Sequence, residues 1–324
     1  MNIHPPIAYL ISVLMLLFAA TSIKRSRIID FFGEKILKDS NEKSATLMLI
    51  ALSYILSPLF LSFVLVSSFD KWILRFNNKK KTLTFLLAST LLGSSILPFG
   101  NLRNTYITIF LGDGKPGISI SSFASIMLPL WIIGLVILLV MAYRLCEEKE
   151  IKEKKTKTKW RWKELLFAFI LFIFIIAYFN KKLNLLGFFF LAGAFSFAFI
   201  GIDTLKQVDW WLLIPVGISF VVYYLLKGHS FYLNPWAGYA LGSMGSSAVT
   251  SNLLSFLLPF SGINKNVLIY SVTVGGLGGF LGSVEGIWLQ KRGRYTIDLK
   301  LMLKIYVIFF IIAFLILFIG GHYG

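Results

Sequence analysis

Apolar residues along this chain gather into ten long blocks separated by short polar connections: 5–23, 44–69, 83–110, 119–143, 163–179, 184–202, 208–226, 235–260, 266–289 and 300–320. At a rise of about 1.5 Å per residue, about 20 apolar residues in a helix cross the roughly 30 Å hydrocarbon core of a bilayer. The blocks have that length and contain continuous runs such as Leu165–Phe179, without the in/out alternation of a membrane β-strand. They predict an all-α integral membrane protein. Between the first two blocks, Arg27–Leu37 mixes charged and apolar residues at helical spacing, which suits a helix lying along the interface. The stretch Cys146–Lys163 is dense in Lys and Glu and reads as a basic, solvated linker. It divides the chain into 1–145, a linker at 146–162, and 163–324.

Two blocks are unsuited to simple spanning. Block 44–69 is broken by Ser57-Pro58, where proline disfavours continuous helix. Block 235–260 carries Gly242, Gly245, Ser246, Ser247, Thr250, Ser251 and Asn252 at its centre. Each half is too short to cross, so both blocks are expected to be re-entrant hairpins with buried polar tips. Charge placement tests this. If all ten blocks cross, the 32 Lys and Arg divide evenly between the two faces. If the two suspect blocks enter and leave on one side, one face keeps only Arg103, Lys115, Lys181, Lys182, Lys227 and Lys265, and the other takes the remaining 26 of 32. That asymmetry is what positive-inside topology produces. It implies about eight crossings in the cell membrane, cytoplasmic basic loops, both termini outside, and hairpins opening to opposite faces, the mark of an inverted repeat.

Composition agrees: 57% of residues are hydrophobic, 15% are charged, and the mean hydropathy is +0.78. The net charge of +17 invites a nucleic-acid reading, but the basic residues sit mainly in connections between apolar blocks, so no nucleic-acid partner is expected. Cys146 is the sole cysteine and His4, His229 and His322 are scattered, so neither an intramolecular disulfide nor a metal site is expected, and no cofactor is implied. Lys24, Arg25 and Arg27 follow the first apolar run instead of preceding it, the reverse of a cleaved signal peptide, so that segment is expected to be retained.

After each expected hairpin comes a helix interrupted by small residues: Gly93-Ser94-Ser95-Ile96-Leu97-Pro98-Phe99-Gly100-Asn101-Leu102-Arg103-Asn104, and Val274-Gly275-Gly276-Leu277-Gly278-Gly279-Phe280-Leu281-Gly282-Ser283. Such interruptions free backbone N–H and C=O groups and aim half-helix ends at mid-depth. Isolated glycines more often serve close helix packing; here their place after both hairpins favours a substrate site.

Leu97 to Asn104 resembles the TPxGNPxN signature of the ion transporter superfamily, which includes arsenical-pump membrane proteins, sodium/proton antiporters and citrate and dicarboxylate transporters. Val249-Thr250-Ser251-Asn252 with Leu257-Leu258-Pro259 is similar to its second hairpin tip, and Val274 to Ser283 to its GGxGTPxxS segment. Val208-Asp209-Trp210-Trp211-Leu212-Leu213 resembles the start of the helix before that hairpin. The resemblance covers essentially the whole chain, with repeat one shortened by about two N-terminal crossings. It departs from the pattern at Leu61-Ser62-Phe63, at Leu253-Leu254 after Asn252, and at Gly279-Phe280, so half of the expected ligand set is missing or apolar. The resulting candidate ligands are Ser57, Ser62, Ser95, Pro98, Gly100, Asn101, Asn104, Thr250, Ser251, Asn252, Gly275, Gly276, Gly278 and Ser283.

Glu285 is the candidate for coupling transport to a cation, H+ or Na+, since intramembrane carboxylates are costly unless used; pairing with nearby Lys291 or Arg292 is the plainer alternative. Arg103 is expected to end its helix at the exterior interface, with attraction of an anion as the alternative. Asp203 and Asp209 are expected as solvated caps, and Trp160, Trp162, Trp210 and Trp211 as interfacial anchors. The function implied is ion-coupled secondary transport of a small ion, favouring an anion or oxyanion, by alternating access. A non-transporting scaffold and a sodium/proton antiporter remain open, as does a homodimer. An enzyme is not expected, because clustered catalytic His, Asp or Glu are lacking.

Overall fold

A computed structural model describes residues 5–37, 40–60, 62–112, 116–151, 159–184, 187–188, 191, 193, 206–214, 217, 221, 224–225, 231–232, 234–248, 260–261, 265–277 and 296–319. Among them the regular structure is helical, apart from one short strand pair. The helices are α1 (Pro5–Ser26), α2 (Ile28–Leu37), α3 (Glu42–Phe60), α4 (Ser62–Ile73), α5 (Lys79–Gly93), α6 (Leu102–Phe110), α7 (Ile120–Leu145), α8 (Trp162–Phe179), α9 (Pro235–Ala248), α10 (Lys265–Gly275) and α11 (Leu299–Ile319). Four of these, α1, α7, α8 and α11, are long and apolar enough to cross a membrane. The chain is therefore an α-helical membrane protein. Their surroundings differ. α1 is largely enclosed by protein, packing along α8 and against α6, whereas α7 and α11 present rows such as Ile132, Val136 and Val140, and Leu303, Val307 and Ile311, to the outside.

At Arg27 the backbone turns with a positive φ of 59° and α2 begins. It buries Ile29 and Gly33 and exposes Lys35, with Gly33 flat against the Trp72 indole.

The path of α3, α4 and α5 is fixed by contacts at a constant separation in sequence. Thr46 and Thr82 share a hydroxyl hydrogen bond at 3.3 Å, Ser53 and Ser89 one at 2.6 Å, and each pair is 36 residues apart. The Asn78 backbone N–H, also 36 residues away, donates to the Glu42 carboxylate at 2.8 Å. A constant difference means that α3 and α5 run parallel, so α4 must carry the chain back to where α3 began. The Glu42 carboxylate fastens the two ends together by also accepting from the Asn77 backbone N–H at 3.1 Å and its side-chain amide at 3.2 Å.

Contrary to expectation, Ser57-Pro58 does not break this excursion. α3 continues through Pro58 to Phe60, and α4 starts at Ser62. Proline at 58 cannot donate to the Tyr54 carbonyl four residues back. The Ser57 hydroxyl does so instead, at 3.1 Å, which keeps the helix intact past the proline.

The second excursion closes in another way. Phe231–Tyr232 and Phe260–Ser261 pair as parallel strands, with Phe231 opposite Phe260, so the chain also leaves and re-enters at one place. α9 and α10 start from this patch and pack along each other. Trp236 stacks on Phe318 (3.7 Å between centroids), the Tyr239 hydroxyl donates to the Phe310 carbonyl at 2.7 Å, and the Tyr306 hydroxyl donates to the Ser243 carbonyl at 3.4 Å. The partners run backwards along α11, so α9 is antiparallel to it. α11 in turn begins beside the start of α5, where the Asp298 N–H donates to the Thr84 hydroxyl at 2.8 Å. The two excursions therefore start from opposite ends of the bundle.

One end gathers the basic segments. The Arg161 N–H reaches the Ser26 carbonyl (2.7 Å), Glu42 N–H that of Lys149 (2.7 Å), and the Lys81 ammonium that of Leu145 (3.4 Å). Lys24 pairs with Asp209 at 3.7 Å and Lys43 with Glu148 at 3.3 Å. Asp209 precedes the short helical turn at Trp210–Leu212 without capping it by a side-chain bond, so its ion pair replaces the expected cap. Trp160, Trp162 and Trp210 stand exposed in segments at this end.

Candidate functional site

Helix α5 ends at Gly93 because helical geometry fails over the next eight residues. A single 3₁₀ turn spans Ser94–Ile96, Leu97 is extended (φ −113°, ψ 146°), and Asn101 is extended before α6 begins. The expected break is present and buried: Ser94, Ser95, Asn101 and Asn104 are each at most 4% exposed. Buried peptide groups require partners, and two asparagines supply them. The Asn101 side-chain oxygen accepts from the Asn104 N–H at 2.9 Å and so caps α6, while its amide donates to the Ser94 hydroxyl at 3.2 Å. The Asn104 amide donates to the carbonyls of Ser95 (3.2 Å) and Leu97 (2.8 Å), two groups that the interruption removes from helical bonding. Trp131 on α7 donates its indole N–H to the Gly93 carbonyl at 3.1 Å, and Thr105 its hydroxyl to that of Asn101 at 3.0 Å.

Two glycines make this possible by close approach. A Cβ on Gly93 would overlap the Ser57 hydroxyl and the Tyr54 carbonyl, so α3 and α5 meet backbone to backbone at the break. A Cβ on Gly100 would overlap the Ser94 carbonyl across the loop. Pro98 lies within the loop and Phe99 packs its ring 5.3 Å from that of Phe179.

The second half reaches the same place through α10. Gly275 is its last residue, and the Gly276 N–H continues the helical pattern by donating to the Val272 carbonyl at 3.1 Å. Arg103, in the first turn of α6, lies directly on this end. Its Nη1 donates to the Val272 carbonyl at 3.5 Å, and a Cβ on Gly276 would occupy the guanidinium's position. Arg103 is 3% exposed. The expectation that it ends a helix at the interface is thus corrected: the guanidinium is enclosed where the start of one half-helix meets the end of another. α6 presents the positive end of its dipole there and α10 the negative end.

The structure brings together Ser57, Ser95, Gly100, Asn101 and Asn104 at the first break, and joins Gly275 and Gly276 to it through Arg103. Ser62 lies buried at the start of α4, two residues beyond the end of α3. Thr250, Ser251, Asn252, Gly278, Ser283 and Glu285 lie outside the described residues. The two asparagines act here as braces of the broken backbone, with their amides committed to Ser94, Ser95 and Leu97. Three further buried polar residues join the stripe: Ser94, Thr105 and Thr108, the last with a hydroxyl that has no hydrogen-bond partner among the described residues. Asn101, Asn104, Thr105 and Thr108 recur at helical spacing within an apolar block, a pattern visible in the sequence itself. No protein-family model matches the chain, and no curated protein matches it in sequence.

Proposed function

We propose that this protein is an ion-coupled secondary transporter that moves a small anion or oxyanion by alternating access. In this reading the α3–α4 excursion and the 233–259 excursion are re-entrant hairpins entering from opposite faces, the basic end is cytoplasmic, and about eight segments cross. The two halves are then inverted repeats: α3, α5 and α7 correspond to α9, α10 and α11. The observation that carries the proposal is that the two excursions start from opposite ends of the bundle while their partner helices meet at a buried backbone break. Irregular backbone at membrane depth is tolerated only where protein or an aqueous cavity surrounds it, and transporters place substrate sites there. The resemblance of Leu97–Asn104 and Val274–Ser283 to ion transporter signatures points the same way, with Glu285 as the coupling group for H+ or Na+.

The test is flux through purified protein in proteoliposomes. Imposed Na+ or pH gradients should drive uptake of at least one of citrate, succinate, sulfate, phosphate or arsenite. Silence across that panel, with correctly inserted protein, refutes transport and leaves a scaffold. Glu285→Gln should abolish coupling, and unaltered coupling removes that assignment. Cysteines introduced at positions 57 and 251 in a Cys146→Ser background should label from opposite faces; labelling from one face rejects the opposed hairpins.

A further inference from the structure

We propose that the segment Lys159–Lys163 and the outer face of α8 together bind an anionic phospholipid, the lysines taking its phosphate headgroup and the apolar face an acyl chain. Such a site requires only a membrane protein and is independent of the transporter reading.

Five consecutive residues, Lys159-Trp160-Arg161-Trp162-Lys163, alternate cation and indole at the start of a helix long enough to cross a membrane. All five are exposed, Trp160 to 47% and Trp162 to 59%. The main chain fixes their height. Arg161 is extended (φ −109°, ψ 106°), and its N–H donates at 2.7 Å to the carbonyl of Ser26, the last residue of α1. The ends of two apolar spans therefore coincide here, at the level where hydrocarbon gives way to headgroups. An indole favours that depth, because its ring is apolar and its N–H needs a polar partner.

The acids near this end are already matched by cations. Glu164 pairs with Arg161 at 3.5 Å, Asp30 with Arg27 at 3.6 Å and Asp209 with Lys24 at 3.7 Å. Lys159 and Lys163 make no ion pair among the described residues. A lysine places a compact charge on a flexible apolar stem, which suits a phosphate at the membrane surface.

Below these cations, Trp162, Leu166, Phe169 and Ile173 are all exposed and follow one another at steps of four, three and four residues. That spacing makes one stripe along the helix. Phe167, Leu171 and Ile175 are buried on the other side, where α8 packs along α1. The stripe is about 16 Å long, close to one leaflet of a core roughly 30 Å thick. A headgroup held at Lys159 and Lys163 thus lays its chain on Leu166, Phe169 and Ile173. α7 and α11 also expose apolar rows, but neither carries a tryptophan at its charged end, and acids stand beside the cations there: Glu147 and Glu148 after Arg144, and Asp298 before Lys300. α1 is largely enclosed by protein.

The plainer role for these residues is general anchoring at the interface, with no preference among lipids. Purified full-length protein in neutral detergent is titrated with phosphatidylglycerol and with phosphatidylcholine of the same acyl chains, and bound lipid is read by native mass spectrometry. Phosphatidylglycerol should bind the wild type about tenfold or more tightly than phosphatidylcholine, the scale of two cations at an anionic headgroup. Lys159→Gln with Lys163→Gln should abolish that preference and leave phosphatidylcholine binding unchanged. Lys300→Gln with Lys304→Gln, the same loss of charge on α11, should leave the preference intact. Trp160→Ala with Trp162→Ala should weaken both lipids. Equal affinity of the wild type for the two lipids overturns the proposal, as does a preference that survives the Lys159 and Lys163 changes. Unchanged lipid binding in the tryptophan variant rejects the placement on α8. Displacement of phosphatidylglycerol by an equal concentration of inorganic phosphate assigns the lysines to a free anion and rejects the lipid.

Discussion

The two excursions that start from opposite ends of the bundle are fastened to neighbouring helices by different chemistry. α3 and α5 are joined by hydroxyls at matched heights, Thr46 to Thr82 and Ser53 to Ser89, and end with Gly93 pressed on Ser57. α9 is held to α11 by stacked rings, Trp236 on Phe314 and Phe318 and Tyr239 beside Phe310, with tyrosine hydroxyls reaching main-chain carbonyls. Directional bonds in a dry interior fix one register, since a slip leaves polar groups unpaired. Stacked rings tolerate small displacements, because dispersion is not directional at that scale. The α3–α5 pair is thus fixed in register by hydroxyl bonds, and the α9–α11 pair joins ring packing to tyrosine hydroxyl bonds.

The comparison can be broken most forcefully at the glycines. Gly93→Ala should destabilise severely, by about 3 kcal/mol or more, because its Cβ meets the Tyr54 backbone, whereas Gly276→Ala should cost about 1 kcal/mol or less, because its Cβ meets a movable side-chain end. Melting of both variants in detergent measures this, and equal losses would remove the distinction. Next comes the Glu42 fastening: Glu42→Ala removes the acceptor of the part-buried N–H groups of Asn77 and Asn78 and should cost about 1 kcal/mol.

The hydroxyl ladder gives an effect of similar size. Ser53→Ala and Ser89→Ala should each cost about 1 kcal/mol, and the double variant clearly less than their sum, since removing both partners strands neither. Additive losses in a double-mutant cycle would show that the two hydroxyls do not interact. Tyr239→Phe should cost no more than about 1 kcal/mol while leaving the ring stack in place, and a larger loss would mean the α9–α11 pair depends chiefly on directional bonds. The smallest effect is at the basic end. Burial pushes the Cys146 thiol above its ordinary value, so less thiolate is present at pH 8 than for an open thiol. Maleimide labelling of Cys146 should be slower than that of a small thiol at pH 8 and rise with pH beyond it. Equal rates at pH 8 would contradict the packing of this segment.

Several of these contacts were foreshadowed in the residue pattern. Thr46, Ser53 and Ser57 repeat the spacing of Thr82, Ser89 and Gly93, and the same spacing on two helices is what parallel pairing in register requires. The break at 93–101 was readable because glycine, serine and proline accumulate where apolar residues otherwise continue. The end of α3 was not readable, because whether Pro58 stops a helix depended on the Ser57 hydroxyl finding the Tyr54 carbonyl.

By itself the sequence determined the membrane class and, among the described residues, the apolar segments 5–23, 119–143, 163–179 and 300–320 to within a few residues. Those follow from local quantities: hydropathy over a window and helical rise. Only the tertiary structure decided that Arg103 is enclosed against Gly276 instead of facing water, and that Asn101 and Asn104 brace a broken backbone. Burial of a charge and the partner of an amide are set by residues such as Val272, 169 positions away in the chain, and no local pattern carries that distance.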